Sequence, residues 1–155
     1  MKIDNLKGNV TAINYQGWSE LYSLHFNISR PVLGTQDYQR NSVLNNIHFS
    51  EITICKRSDP VSHHLLHHMC THNSFSIIDI HACYTNTQLA PYVKYKLHNS
   101  FIRYMDTHIS HGGEATELVS LCFTQIITSF ISRDNNNQPL PPLITGYDIE
   151  QAEVM

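Results

Sequence analysis

The sequence feature that most constrains the fold is a two-residue alternation of apolar and polar side chains. The alternation is clearest over residues 18–29, where the even positions are mostly apolar (Trp18, Tyr22, Leu24, Phe26, Ile28) and the odd positions are mostly Ser, His or Asn. Successive side chains of a β-strand point to opposite faces, so this pattern predicts a strand with one buried and one wetted face. A chain built on this period favours sheets over a bundle of helices.

Three further segments carry the same period. Their apolar sides are Ile78, Ile80, Ala82 and Tyr84 in the first, Val93, Tyr95 and Leu97 in the second, and Val119, Leu121, Phe123 and Ile127 in the third. The second segment changes phase near Asn99 and Ser100, so that Ile102 and Tyr104 continue its apolar side. Such a change predicts a bulge or bend, as in a strand that wraps around a barrel. A short last strand is predicted near residues 147–149.

Only one segment, at about residues 60–72, predicts a helix. Asp59 is a suitable N-cap, Pro60 suits the first turn, and Leu65, Leu66 and Met69 form an apolar stripe. Several antiparallel strands with one helix and no alternation of strands and helices predict a mainly β fold, a closed or sandwich-like antiparallel β-barrel with one flanking helix. The 155 residues suit a single domain spanning residues 1–155.

A long segment without periodicity follows the first strand. Residues 30–46 contain Pro31 and Gly34 and predict an extended loop. Loops of this length inside a compact domain usually have a function. We therefore expect residues 30–46 to contact a partner.

The low charge of the chain indicates a surface that other chains cover. Asp, Glu, Lys and Arg make up 15% of the residues, where about 25% is usual, and Ser, Thr and Asn are abundant instead. Hydroxyl and amide groups lose little on burial when a partner supplies hydrogen bonds. The net charge of −3 with neutral histidines argues against binding of nucleic acid or of an anionic membrane.

The N-terminal residues lack the apolar core of a signal peptide, and no later segment approaches 18 apolar residues. We therefore expect neither a cleaved signal nor a membrane span. The four cysteines, Cys55, Cys70, Cys83 and Cys122, form no Cys-x-x-Cys pair. Reduced thiols in a cytosol are the simplest interpretation of that spacing.

Five histidines in the predicted helix suggest a metal site: His63, His64, His67, His68 and His72. Pairs four residues apart share a helix face, but a zinc site needs three or four ligands, and only Cys70 or the distant His111 offers a further one. We therefore expect no metal and no cofactor. Ser62, Cys70 and the histidines lack the sequence context of a nucleophile and its base, so no catalytic residue is assigned and we expect no enzyme.

Four segments together carry a resemblance to a known family. Gly17-Trp18 begins a strand with Glu20 and alternating aromatics, and a spaced set of Lys56, Asp59, Ser62 and Leu65 leads into the helix. Glu117 precedes the strand with Val119, Leu121 and Phe123, and Gly146-Tyr147-Asp148-Ile149 forms the closing strand. In this order the segments resemble the Hcp family, the haemolysin-coregulated tube proteins of type VI secretion, which resemble phage tail tube proteins.

The resemblance implies a barrel subunit of a homohexameric ring, with stacked rings forming a hollow tube. A contractile sheath would expel the tube with a spike-tip protein and secreted effectors, without nucleic acid and without insertion into a membrane. The protein would be cytoplasmic before firing and then secreted without a cleaved signal peptide.

The same resemblance places a subunit contact on the extended loop and beside the helix. The expected interface residues are Arg30, Val32, Leu33, Thr35, Gln36, Tyr38, Arg40, Lys56 and Asp59. A phage tail tube-like protein, a His-rich metal-binding β-barrel module and a small enzyme or other β-barrel binder stay as alternatives.

Overall fold

The computed structural model describes residues 1–30, 47–85 and 89–155. These residues form strands β1 (Lys2–Ile3), β2 (Leu21–His25), β3 (Ile28–Ser29), β4 (His48–Phe49), β5 (Ile52–Arg57), β6 (Phe75–Thr85), β7 (Leu89–His108), β8 (Thr116–Cys122), β9 (Gln125–Phe130), β10 (Leu143–Asp148) and β11 (Glu153–Val154). The helix α1 (Pro60–Thr71) lies between β5 and β6. The mainly β content with one helix confirms that part of the predicted fold class.

The 20-residue strand β7 organises the sheet. Its first half pairs with β6 on one side and β9 on the other, and its second half pairs with β8. The sheet continues from β8 to β5 and β2, and from β9 to β10 and β11. The pair β1–β6 joins the N-terminus to the sheet, and β3 and β4 form a separate ribbon.

The predicted phase change in β7 is confirmed. Asn99 has a positive φ of 48°, a conformation that Asn tolerates better than most residues. Leu97, Ser100 and Ile102 are consequently all buried. A second register shift between Ile102 and Tyr104 leaves Tyr104 49% exposed, so its predicted place on the apolar side is wrong.

Bulges and strand breaks also change two other predicted registers. A shift between Leu21 and Ser23 packs Leu21 against the core and leaves Tyr22 51% exposed. The break between β8 and β9 places Ile126, not the predicted Ile127, in the core. In each case one local irregularity reverses which side chains point inward.

The described strands form an antiparallel sheet curled into a half-barrel. Among the described residues no ladder joins β2 to β6 or β1, so these pairings do not establish the closed barrel that the sequence predicted. A groove of about 430 Å³ lies between β2 and the β6–β7 hairpin, lined in part by Leu24, Ile80 and Tyr95.

The apolar core lies inside the curl and is covered by α1. Its most buried members include Ile52, Ile54, Leu65, Phe75, Ile78, Leu97, Val119 and Leu121. The predicted helix is confirmed: Asp59 is the N-cap, its side chain accepts a hydrogen bond from the Val61 N–H, and His72 ends the helix with φ 55°. Leu66 does not join the predicted stripe, since it is 53% exposed. No helix of the described chain is both long and apolar enough to span a membrane.

Candidate functional site

A buried ionic network joins two strands to the start of the helix. The alternation of β5 places Lys56 on the same side as Ile52 and Ile54, and Lys56 lies opposite Glu117 of β8. The Lys56 side chain is fully buried, and the side chains of Asp59 and Glu117 are 2% and 3% exposed. The network therefore holds three charges away from water.

Lys56 is surrounded by acceptors. Four acceptors lie within hydrogen-bond distance of the three N–H groups on its Nζ: Asp59 Oδ1 at 2.9 Å, Ser62 Oγ at 2.9 Å, Glu117 Oε2 at 3.0 Å and the Arg57 carbonyl oxygen at 2.7 Å. The Ser62 hydroxyl donates to Glu117 Oε2 at 2.7 Å and accepts from the Asp59 N–H at 3.0 Å. Because the ammonium and the hydroxyl are committed to these partners, the network acts as a clamp between β5, β8 and α1.

The predicted interface residues fall into two groups. Val32, Leu33, Thr35, Gln36, Tyr38 and Arg40 lie outside the described residues. Arg30 is exposed, whereas Lys56 and Asp59 make their contacts within the chain. A role of any of these residues in a subunit contact stays a prediction.

An exposed apolar surface that the sequence analysis missed lies at the end of the sheet where β3, β9 and β10 come together. Its exposed members are Ile28 at 56%, Phe130 at 49%, Leu143 at 71% and Ile144 at 65%. They line a groove of about 410 Å³ together with Phe26, Val93 and Tyr95. The adjacent pair Leu143-Ile144 was the available signal, because two neighbouring strand residues cannot both face the core.

A third groove, of about 370 Å³, has a mixed lining that includes Trp18, His81, Lys94 and Lys96. The Trp18 and His81 rings lie 4.6 Å apart. Burial lowers the pKa of His81 to about 4, and the charge of Lys94 acts in the same direction. Cys83 donates to the Tyr15 hydroxyl at 3.1 Å, and the Tyr15 hydroxyl oxygen lies 3.0 Å from His81 Nδ1, within hydrogen-bond distance.

The histidine-rich helix lies at the surface. His63, His64, His67 and His72 are exposed, and His68 is half-buried. Over residues 1–30, 47–85 and 89–155, no group of three or more His, Cys, Asp or Glu side chains is arranged to hold a metal ion. All four cysteines carry free thiols.

Solved structures of type VI secretion system proteins have the same fold. A structure described as a type six secretion system protein matches with a TM-score of 0.88 at 14% identity, over 99% of this chain and 96% of that chain. Hcp1 from Salmonella typhimurium matches with a TM-score of 0.79 at 16% identity, over 99% and 95%. A type VI secretion system effector from Yersinia pestis matches with a TM-score of 0.76 at 14% identity, over 95% and 96%.

A search of curated protein sequences found no match. A family model described as the type VI secretion system effector Hcp matches residues 1–130, most of the chain. The sequence segments that resembled this family lie in that match, apart from the closing strand after residue 130, and the half-barrel with one helix agrees with the solved structures. The chain therefore belongs to the Hcp family of type VI secretion system proteins.

Proposed function

We propose that this chain is the subunit of a type VI secretion inner tube, in which hexameric rings stack into a hollow tube that is expelled with a spike and effectors. The observation that carries the proposal is the exposed apolar surface of Ile28, Phe130, Leu143 and Ile144 on a chain of the Hcp family. The protein would be cytoplasmic before firing and secreted afterwards. Its partners would be further copies of itself, the sheath, the spike-tip protein and effectors.

Exposure of this apolar surface to water is unfavourable in free energy. Complete burial of one Leu, Ile or Phe side chain contributes about 1.5–3 kcal/mol, and Leu143 and Ile144 alone are 71% and 65% exposed. Apolar patches of this kind on a soluble protein mark contact sites for other proteins. A second copy of the chain is the partner that the family membership favours.

Contact between one face of a subunit and a different face of its neighbour gives the geometry that a ring or a stack requires. Such a heterologous contact closes into a ring when the rotation between subunits is right, and it continues as an open stack when it is not. We propose that the apolar surface serves the lateral contact within a ring and that the loop at residues 30–46 serves the contact between rings. We also propose that the barrel closes across the groove between β2 and β6 in the assembled subunit.

The proposed role is mechanical, with no bond chemistry. The buried network supports this interpretation, because Lys56, Ser62 and Glu117 bond to one another inside the fold and have no access to a substrate. A rigid connection between strands and helix suits a subunit that is pushed as part of a tube.

The test compares two substitutions at equally exposed apolar residues. Leu143 and Ile109 are both 71% exposed, but only Leu143 lies in the apolar groove. Leu143→Glu would place a charge in the proposed lateral contact, whereas Ile109→Glu would change a residue next to the β7–β8 turn. We expect light scattering to give a mass of about six chains for the wild type and Ile109→Glu, and a single chain for Leu143→Glu.

Circular dichroism controls for folding, since both variants should keep the strand signal of the wild type. A folded Leu143→Glu protein that still forms rings would refute the proposed lateral surface. A wild-type protein that stays monomeric at all concentrations would refute the ring itself. Negative-stain electron microscopy of the wild type would then show no hollow particles.

A further inference from the structure

The exposed side of α1 carries imidazoles instead of ordinary charges. Residues 60–71 contain no Lys, Arg, Asp or Glu, but they include four histidines. His63 and His67 are both exposed and are separated by one turn of the helix. This side chain pair is not used by the core or by the ionic network.

The helix places the two residues at a spacing suited to a metal ion. Residues four apart on a helix have Cβ atoms about 5–6 Å apart, a distance that two imidazoles can bridge through one ion with metal–nitrogen bonds of about 2.0–2.1 Å. The N-terminal turn is fixed by the Asp59–Ser62 capping box. Near the C-terminal end, Thr71 Oγ1 donates to the His67 carbonyl at 2.8 Å.

The other histidines of the helix are less available. The His68 ring stacks on Phe75 with centroids 4.1 Å apart, and its Nδ1 is buried with no partner among the described residues. Pairs of His68 with His64 or His72 therefore include a ring that is engaged in packing. Among the pairs four residues apart, His63 and His67 form the one in which both residues are exposed.

A third ligand from the same helix does not fit. Cys70 is exposed and lies three residues after His67, but its distance from His63 along the axis is about 10.5 Å at the usual rise per residue. One ion cannot bind both ends of that span. A labile site with two protein ligands thus agrees with the absence of any three-ligand group in the described chain.

We propose that His63 and His67 form a surface chelate for a divalent transition-metal ion, with water molecules completing the coordination. Imidazole nitrogens suit Cu²⁺, Ni²⁺ and Zn²⁺, and Cu²⁺ is the tightest-binding ion of this series. The site goes beyond the tube function and does not depend on it. It is also distinct from a structural metal centre, because the core and the ionic network hold α1 in place without an ion.

The first experiment is a calorimetric titration of chelator-treated, untagged protein with CuCl₂ and NiCl₂ at pH 7.5. We expect saturable binding to the wild type, with tighter binding of Cu²⁺. His63→Gln/His67→Gln should lower the affinity at least about tenfold, because even changes around a metal ligand usually cost 10–100-fold. The matched control His64→Gln/His72→Gln removes two imidazoles from the same helix and should keep the wild-type affinity.

Chelation supplies a further readout. The chelator should leave the circular dichroism spectrum and the assembled mass unchanged.

Three results would overturn the proposal. One is an equal loss of affinity in the two double variants, and another is unchanged binding by a folded His63→Gln/His67→Gln protein. The third is loss of the fold in chelator, which would indicate a structural metal instead of a surface chelate.

Discussion

Replacing Lys56 by Met tests the buried ionic network most directly. Met keeps much of the length and apolar character of the lysine stem but removes the ammonium, which leaves the carboxylates of Asp59 and Glu117 buried without their cation. Removing one partner of a buried ion pair typically costs about 3–5 kcal/mol. Because Lys56 faces two carboxylates, we expect a loss near the upper end of that range.

The loss is large relative to the stability of a domain, which is about 5–15 kcal/mol. With a urea m-value of about 2 kcal/mol/M, a loss of about 5 kcal/mol should lower the unfolding midpoint by about 2.5 M. Unfolding would be followed by the fluorescence of Trp18, the only tryptophan in the chain, and by circular dichroism. All proteins would be measured at one concentration, since assembly also stabilises the folded state.

Arg57→Met is the matched control, because it removes a cation from the adjacent position of β5. Arg57 pairs with Glu114, but their side chains are 42% and 60% exposed, and water screens such a pair. We expect its midpoint to stay close to that of the wild type. Equal midpoints for Lys56→Met and Arg57→Met would refute the view that burial makes the network important.

A double-mutant cycle separates the ion pair from the rest of the network. Glu117→Leu alone should also be strongly destabilising, because Lys56 and the Ser62 hydroxyl lose an acceptor. Lys56→Met/Glu117→Leu should lose less stability than the two single changes together, since neither charge is then left without the other. Additive losses would show that the two residues act independently.

Phe123→Asp should abolish soluble folding, because Phe123 is 7% exposed and a charge among core side chains would have no partner. The control Phe123→Leu should fold. A normal circular dichroism spectrum for Phe123→Asp would contradict the inward orientation of Phe123. The pKa of His81 is about 4 in the folded protein and near 6.5 in the unfolded chain. Between these values the unfolded state binds more protons, so the free energy of unfolding should fall as the pH drops from 6.5 to 4. His81→Gln should reduce the difference between urea midpoints measured at pH 7 and pH 5, and an undiminished difference would assign the effect to other groups. Deletion of residues 33–43 should leave the strand content intact but prevent elongation of stacked rings; tubes of normal length by electron microscopy would rule out the proposed loop contact.

Local chemistry explains why much of the fold was predictable. The helix follows from Asp59 and Pro60, which favour its first turn wherever the helix packs. The strands follow from the alternation of apolar and polar residues, which only an extended chain can separate onto two faces. The phase change at Asn99 was predictable because the alternation of apolar and polar residues itself shifts there.

The positions of Tyr22, Tyr104 and Ile127 were not predictable from the same alternation. Each lies at or after a bulge or strand break whose position depends on the partner strand. One extra residue in a strand moves every following side chain to the opposite face of the sheet. The sequence of that strand does not show which strand pairs with it, so it does not show where the bulge lies.

The sequence by itself determined the class of structure, the helix and the family resemblance, because these depend on residue types at short, regular spacings. Only the tertiary structure decided what the charged and apolar exceptions do. It buries Lys56 against Glu117, 61 residues away, and leaves Leu143 and Ile144 exposed. Burial depends on which distant segments meet. Lysine is rarely buried, so residue type alone indicates a surface position for Lys56, whereas the fold places it in the core.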